Sequence, residues 1–417
     1  MTRTNWAKNI TYSTDDLRTP SSIDELQQLI RDTPKLRVLG SGHTFNELAD
    51  SDAVQVSLAD LGSDQVELVG TTADGAQVVR VSGSVRYGDL AIKLDEQGLA
   101  LANMASLPHI SVAGAVQTGT HGSGDQVGSL ATQVVAVEFV DGTGELVRLT
   151  EDDPDFRGAV VALGALGPIT HLELRTEPSF EMTQTVYDGI RWDDLLDRFE
   201  EFTGSADSTS LLTQWNEPDG CVEQVWIKHR DPQSPDLSGF GGVAATEKRH
   251  TVKGDDAGPT TDQGTPGPWF ERLPHFKLDF TPSSGEEIQV EYLVPRSEAV
   301  TALRGLREIG DRLEPLIFVS EVRTVPADDF WLSMAQGTDA VGIHFTFKPD
   351  EQAVRALLPT IEQILPDTAR PHWGKVNELD PAEVTRRFPK WDDFVALARR
   401  YDPQRRFVNA YLERYGL

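Results

Sequence analysis

Apolar positions Ile23, Leu26, Leu29 and Ile30 recur at helical spacing behind Ser22-Ile-Asp-Glu25, which has the spacing of a capping box, and this predicts a helix to about Asp32. Lys35 to Leu39 reads as a short strand running directly into the turn Gly40-Ser-Gly-His43, where two glycines permit backbone geometry closed to other residues. Strand patterns follow at Val54 to Leu58, Val66 to Val69 and Val78 to Ser82, with a helix across Tyr87 to Gln97. Small residues dominate from Leu107 to Leu130; beyond them come strand patterns at Val134 to Val140 and Leu146 to Leu149, a helix near Phe156 to Leu163 and a strand at Ile169 to Arg175.

Glu177-Pro178 is the expected first domain boundary. After it the pattern predicts strands at Met182 to Tyr187, Leu211 to Trp215 and Val222 to His229, and an amphipathic helix from Trp192 to Phe202. Asp231 to Gly267 is rich in Pro, Gly, Asp and Ser without periodicity and reads as a long surface excursion. Strands at Ile288 to Val294, Leu316 to Thr324 and Val341 to Phe347 then alternate with helices at Ser297 to Arg312 and Glu351 to Leu365. A tail from Pro371 carries a helix at Asp392 to Arg400 and ends in the aromatic-rich FVNAYLERYGL, which suggests docking onto the rest. Strands mixed with helices in both halves give an α+β fold class.

At 417 residues the chain is long for one core, so two domains are expected. The 66 acidic against 38 basic residues give a formal charge of −28, which opposes nucleic acid and anionic lipid as partners. No stretch approaches the apolar run of a membrane helix and MTRTNWAKNITYSTDD has no signal-peptide core, so a cytoplasmic protein is expected. The single cysteine, Cys221, excludes an internal disulfide framework and a cysteine-rich metal site, and without a local signature it reads as a half-buried thiol.

Three glycine-containing segments crowd the first part: Gly40-Ser-Gly42-His43-Thr44, Gly83-Ser84 and Gly114 through Gly128. Main-chain N–H groups clustered in such turns bind pyrophosphate oxygens, which points to a dinucleotide cofactor. A Rossmann fingerprint fails, because Val127 stands at the third glycine position of the Gly122-Ser-Gly124 run. His43 offers a nucleophilic imidazole that would form a covalent bond with the electrophilic 8α-methyl carbon of a flavin, although a histidine after glycines is by itself more often a turn or capping residue.

The segments VLGSGHTFNELA around His43 and NMASLPHISVAGAVQTGTHGSG from Asn103 to Gly124 resemble those of the bacterial alditol oxidases, in the vanillyl-alcohol oxidase flavoprotein family alongside the sugar-lactone oxidases. The likeness continues through PHFKLDFTPSSGEEIQVEYLVPR, SEVRTV, IHFTF, RPHWGK and FVNAY. It implies an FAD-binding domain over residues 1–178, an inserted substrate domain over 179–370, and a tail, 371–417, completing the first. It also implies His43 as the covalent FAD anchor, with Ser41, Gly42, Thr44, Ser106, Ser111, Gly114, Thr118, Gly119, Ser123, Ile169 and His372 along the cofactor.

On the substrate side, strand alternation puts Glu321 and Arg323 on one face with Val322 opposite, and His344 and Thr346 on one face with Ile343, Phe345 and Phe347 opposite. Read alone, Glu321 and Arg323 also fit a solvated face with an i, i+2 ion pair. The resemblance places them in the pocket over the flavin with Lys375 and Ser106. A linear polyol needs donors and acceptors along its length, and Glu321, Arg323, Lys375, Ser106 and Thr346 supply that set. The expected reaction moves hydride from C1 of an alditol such as xylitol or sorbitol to flavin N5, and O2 then yields hydrogen peroxide. His344 or a water is the candidate base, and Lys375 the cation stabilising the reduced flavin.

His121 has no second histidine at a metal-like interval, so no metal is expected and a turn or flavin-side structural role is. His109 and His372 each sit in a segment matching the family and fit a packing role at least as readily as direct contact, and Trp373 reads as core rather than as a stacking platform. The protein is expected to be a monomer. The alternatives carried forward are a sugar-lactone or aldose oxidase of the same family and a non-catalytic flavin-binding protein.

Overall fold

Alternating side chains in the strands Ile288–Pro295, Ile317–Val325 and Ala340–Phe347 place one row in a core and the other on the opposite face, and these strands pair antiparallel. The computed structural model describes residues 3–61, 66–230, 233–280 and 286–417. Residues 281–285 of the PHFKLDFTPSSGEEIQVEYLVPR segment and 231–232 of the Pro/Gly-rich stretch lie outside them.

Among the described residues the larger sheet has nine strands, and Ser208–Thr213, Gln224–His229 and Glu181–Asp188 extend it beyond Ile317–Val325. Its back is covered by the helices Arg296–Glu308 and Glu351–Ile364, whose Leu303, Leu306, Leu358 and Ile361 pack with Val322, Ile343, Phe345 and Phe347. A five-stranded sheet runs Glu67–Thr71, Gln77–Ser82, Ile169–Arg175, Val134–Val140, Leu146–Thr150. Its Val81, Val137, Phe139 and Leu172 share a core with Trp391, Phe394, Leu397 and Leu412 from the end of the chain. A small parallel sheet, Leu17–Arg18, Val54–Val56 and Leu36–Val38, carries the turn that bears His43.

Several sequence expectations shift for identifiable reasons. Ser22 Oγ caps the helix Ile23–Asp32 by accepting from Glu25 N, but Glu25 reaches back to Ser21 rather than Ser22, one residue off the reciprocal box. The helix expected to reach Leu163 stops at Ala159; Leu163 is left-handed at φ +57° and its carbonyl accepts from the buried Arg37 guanidinium. The helix expected over Trp192 to Phe202 is two, broken at Arg198, and the one expected to Arg312 breaks at Ile309. Pro381–Arg386 and Ala410–Arg414 are helices too short for periodicity to show.

The Asp231 to Gly267 stretch is a larger correction. Val243–Ala244 and Pro266–Pro268 pair with Glu181–Asp188, and Thr260 and Thr261 are buried with their hydroxyls bonded to the carbonyls of Arg249 and Pro274. The segment packs through isolated apolar anchors, Leu237 and Phe240, and through polar side chains satisfied by backbone groups, neither of which has a period that a pattern search can register.

Candidate active site

Antiparallel register sets Glu321 opposite His344 and His344 opposite Glu291, with Thr346 opposite Gln289 in the next row and Arg323 opposite Gly342 in the row before. Directly opposed residues share a face. One sheet face thus carries Glu321, Arg323, His344, Thr346, Gln289 and Glu291, while Val322, Ile343 and Phe345 fill the core behind. Gly342 keeps this face open: a Cβ there would stand 3.3 Å from Glu291 Oε1. Arg323 Nη2 donates to that oxygen at 2.8 Å.

Burial opposes the ionisation of Glu291 and Glu321, yet Arg323 overcomes it in both cases, aided by His121 at Glu291 and His275 at Glu321, and both carboxyls lie well below their usual range. Burial pushes His344 and His372 down to about 3, so both imidazoles are neutral at ordinary pH. Lys375 is pushed down to about 8 by burial; its ammonium donates to Gln289 Oε1 and lies 4.8 Å from the Phe45 ring centroid. Arg323 Nε is buried 3.7 Å from Glu321 Oε2 with no hydrogen-bond partner among the described residues. His121 donates Nδ1–H to Gly122 O, and its Nε2 lies 3.0 Å from Glu291 Oε1, poorly aligned for a hydrogen bond.

The opposite wall comes from the glycine turns. Gly42 takes φ +71°, a left-handed turn that glycine adopts without strain, and its carbonyl accepts from Trp6 N at 2.8 Å. The Trp6 ring stacks on His43 with centroids 4.9 Å apart and 19° between planes, and His43 Nδ1 bonds to Ser41 O at 2.9 Å. Burial pushes His43 down to about 4, and its buried Nε2 has no hydrogen-bond partner among the described residues.

Ser41, Gly42, His43, Thr44, Ser106, Ser111, Gly114, Thr118, Ile169 and His372 line one cavity together with Glu321, Arg323, His344, Thr346 and Lys375. Its volume, about 1050 Å³, is at the upper end of small-molecule pockets and suits a dinucleotide-sized group plus a substrate. Fit to a flavin dinucleotide is supported by buried Thr44 Oγ1 and Ser111 Oγ, which have no hydrogen-bond partner among the described residues. It is also supported by the tightness of the turns: a Cβ on Gly40 or Gly114 would come within 2.8 or 2.7 Å of Ser111 Oγ. These residues are donors and small side chains of the kind that cradle such a cofactor.

Two of the sequence candidates do not line that cavity. Gly119, at φ +67°, lies beneath Met334, and Ser123 Oγ donates to Thr209 O. His109 Nε2 bonds to Leu278 O at 2.8 Å, and Trp373 sits in an aromatic cluster with Phe388 and Trp391, its indole N–H given to Leu332 O. Cys221 is a free, half-buried thiol.

Sequence reasoning missed Trp6, Gln289, Glu291, His275 and the cavity-lining His250 to Val252. Gln289 and Glu291 carried the same signal as the others, polar residues alternating with Ile288, Val290 and Tyr292. His275 and His250 have no such pattern, being placed by loops.

The site and the two sheets define an FAD-dependent oxidoreductase. A family profile described as an FAD binding domain matches residues 16–150, and one described as D-arabinono-1,4-lactone oxidase matches residues 284–415. An alditol oxidase from Streptomyces is 44% identical over 98% of this chain and 97% of its own length. An L-gulono-1,4-lactone dehydrogenase from Mycobacterium tuberculosis is 28% identical over 98% of each. The chain belongs to the alditol oxidase group of the vanillyl-alcohol oxidase flavoprotein family. A solved structure of a solvent-stable cholesterol oxidase covers 100% of this chain and 97% of its own at TM-score 0.77 and 15% identity, a likeness of fold. No helix among the described residues is long and apolar enough to cross a membrane.

Proposed function

We propose that the protein oxidises the terminal hydroxyl of a linear polyol such as xylitol or sorbitol to an aldose, with FAD attached through His43, acting as a cytoplasmic monomer. In this reading residues 1–178 and 371–417 hold the cofactor and 179–370 the substrate. The observation that carries it is the sheet face of paired polar residues, above all Arg323 Nε, a buried donor with no hydrogen-bond partner among the described residues. Such a donor beside acceptor-only carboxylates suits a molecule whose hydroxyls both give and take hydrogen bonds.

When bound, FAD supplies a two-electron acceptor that molecular oxygen regenerates with release of hydrogen peroxide. The protein's own groups do the rest. Glu321 accepts from a substrate hydroxyl, Arg323 donates, and Ser106 and Thr346 supply neutral partners further along the chain of carbons. Lys375 holds positive charge beside the reacting end, favouring loss of the hydroxyl proton. His344, kept neutral by burial, receives that proton.

A second reading, oxidation of a sugar lactone, draws on the lactone-oxidase profile over residues 284–415. One experiment separates the two. The purified yellow protein is precipitated with acid, and a native sample is mixed anaerobically with xylitol, then with an aldonolactone. Colour in the pellet and bleaching by xylitol uphold the proposal. Colour in the supernatant overturns the His43 linkage, and bleaching by the lactone alone overturns the polyol assignment.

A further inference from the structure

Behind the substrate-facing carboxylate of Glu321 lies a buried chain of nitrogen donors. Lys228, on the strand Gln224–His229, is 3% exposed; its Nζ donates to Leu273 O and lies 3.2 Å from His275 Nδ1. His275, 2% exposed, places Nε2 at 2.7 Å from Glu321 Oε1. We propose that His275 and Lys228 are positioning residues for Glu321: together they occupy Oε1, fix the side chain's orientation and leave Oε2 as the acceptor for a substrate hydroxyl. The proposal rests on the polyol reading of the cavity and deepens it.

The hydrogen positions follow from valence. An ionised carboxylate only accepts, so the proton at its contact with His275 belongs to Nε2. A neutral imidazole then presents Nδ1 as an acceptor, and Lys228 must donate to it whether the lysine is ammonium or amine. Leu273 O, also acceptor-only, takes another Lys228 hydrogen. Every link points the same way, from Lys228 through His275 to Glu321. Burial, reinforced by the neighbouring Lys228, pushes His275 down to about 4 and keeps the ring in that neutral form.

The ring is also braced. Trp226 meets it edge-on with centroids 4.9 Å apart, and His275 N donates to Ser106 O at 3.0 Å, tying it to another cavity residue. Lys228 does not border the large cavity; it faces a void of about 10 Å³, bordered also by Ser106, Glu321 and Arg323 and too small to admit a polyol. It therefore acts through His275 rather than on the substrate. A methionine would fill the same space without the desolvation cost of an amine, so the distinctive contribution of Lys228 is its hydrogen-bond direction.

The test uses the full FAD-loaded protein. His275→Leu removes the donor and is expected to raise KM for xylitol about tenfold or more, the size of a hydrogen bond to a charged group, with a smaller change in kcat and unchanged flavin content. His275→Gln, which keeps an N–H near the same place, is expected to recover most of that loss, and Lys228→Met to fall between the two. Independently of turnover, nitrogen NMR of labelled histidines in the unmodified protein is expected to show the His275 ring, assigned by its loss in His275→Gln, neutral, protonated at Nε2 and shifted by Lys228→Met. A His275→Leu protein with full flavin and an unchanged KM would overturn the proposal, as would a His275 ring protonated at Nδ1. Should His275→Leu not fold, the Gln variant and the NMR decide. Oxidation of lactones alone by the unmodified protein removes the polyol reading, while the NMR still reports on the donor chain itself.

Discussion

Lys375 offers a sharp test of the proposed chemistry because its charge changes within the working pH range. Burial moves it from 10.5 to about 8, which corresponds to about 3 kcal/mol against the charged form. Near pH 7 roughly nine-tenths of the molecules then carry the ammonium, and near pH 9 roughly one-tenth. If the ammonium favours loss of the hydroxyl proton, kcat/KM for xylitol is level below about pH 8 and falls about tenfold per unit above it. His344, at about 3, is neutral throughout and adds no limb of its own. Lys375→Arg, always charged, moves the limb out of reach, although its planar fork fits the position over Phe45 differently and lowers the rate. Lys375→Met abolishes the limb and costs on the order of a hundredfold in rate, as for loss of one group placed where charge develops. Anaerobic stopped-flow measurement of flavin bleaching across pH reads all three. A rate that climbs through about pH 8 would show Lys375 acting as the base, and a Met variant as fast as the parent would refute any role for its charge.

His344→Ala is expected to slow single-turnover bleaching by roughly tenfold or more, the low end for a positioned base, and an unchanged rate would remove His344 from the mechanism. Glu291→Gln keeps the shape but weakens the 2.8 Å charged bond to Arg323; about 2 kcal/mol of stability should be lost, read as a lower urea midpoint with an unchanged slope. Gly83→Ala would push a Cβ to 2.5 Å from Ile169 O in the turn beside the cofactor wall, so both melting temperature and flavin content should fall, which differential scanning and absorbance would show.

Local pattern carried a large part of this protein. The two-residue alternation in SEVRT and GIHFTF already put Glu321 with Arg323, and His344 with Thr346, on single faces, because side-chain direction along a strand follows from the backbone alone. The glycine turns were equally legible, since Gly42 at φ +71° needs a residue without a Cβ. Strand pairing was not legible, for it joins residues far apart in the chain: only register sets Glu291 beside His344 and brings Arg323 past Gly342 to the same carboxylate. Loop-borne groups were hidden for the same reason. His275 reaches Glu321 across 46 positions of sequence and Trp6 stacks on His43 from the start of the chain, contacts that carry no periodicity. Sequence determined which residue types were available and which way the strands turned them. Tertiary packing alone decided their charge states, because the desolvation that makes His344 neutral and brings Lys375 to about 8 comes from neighbours that only the folded chain assembles.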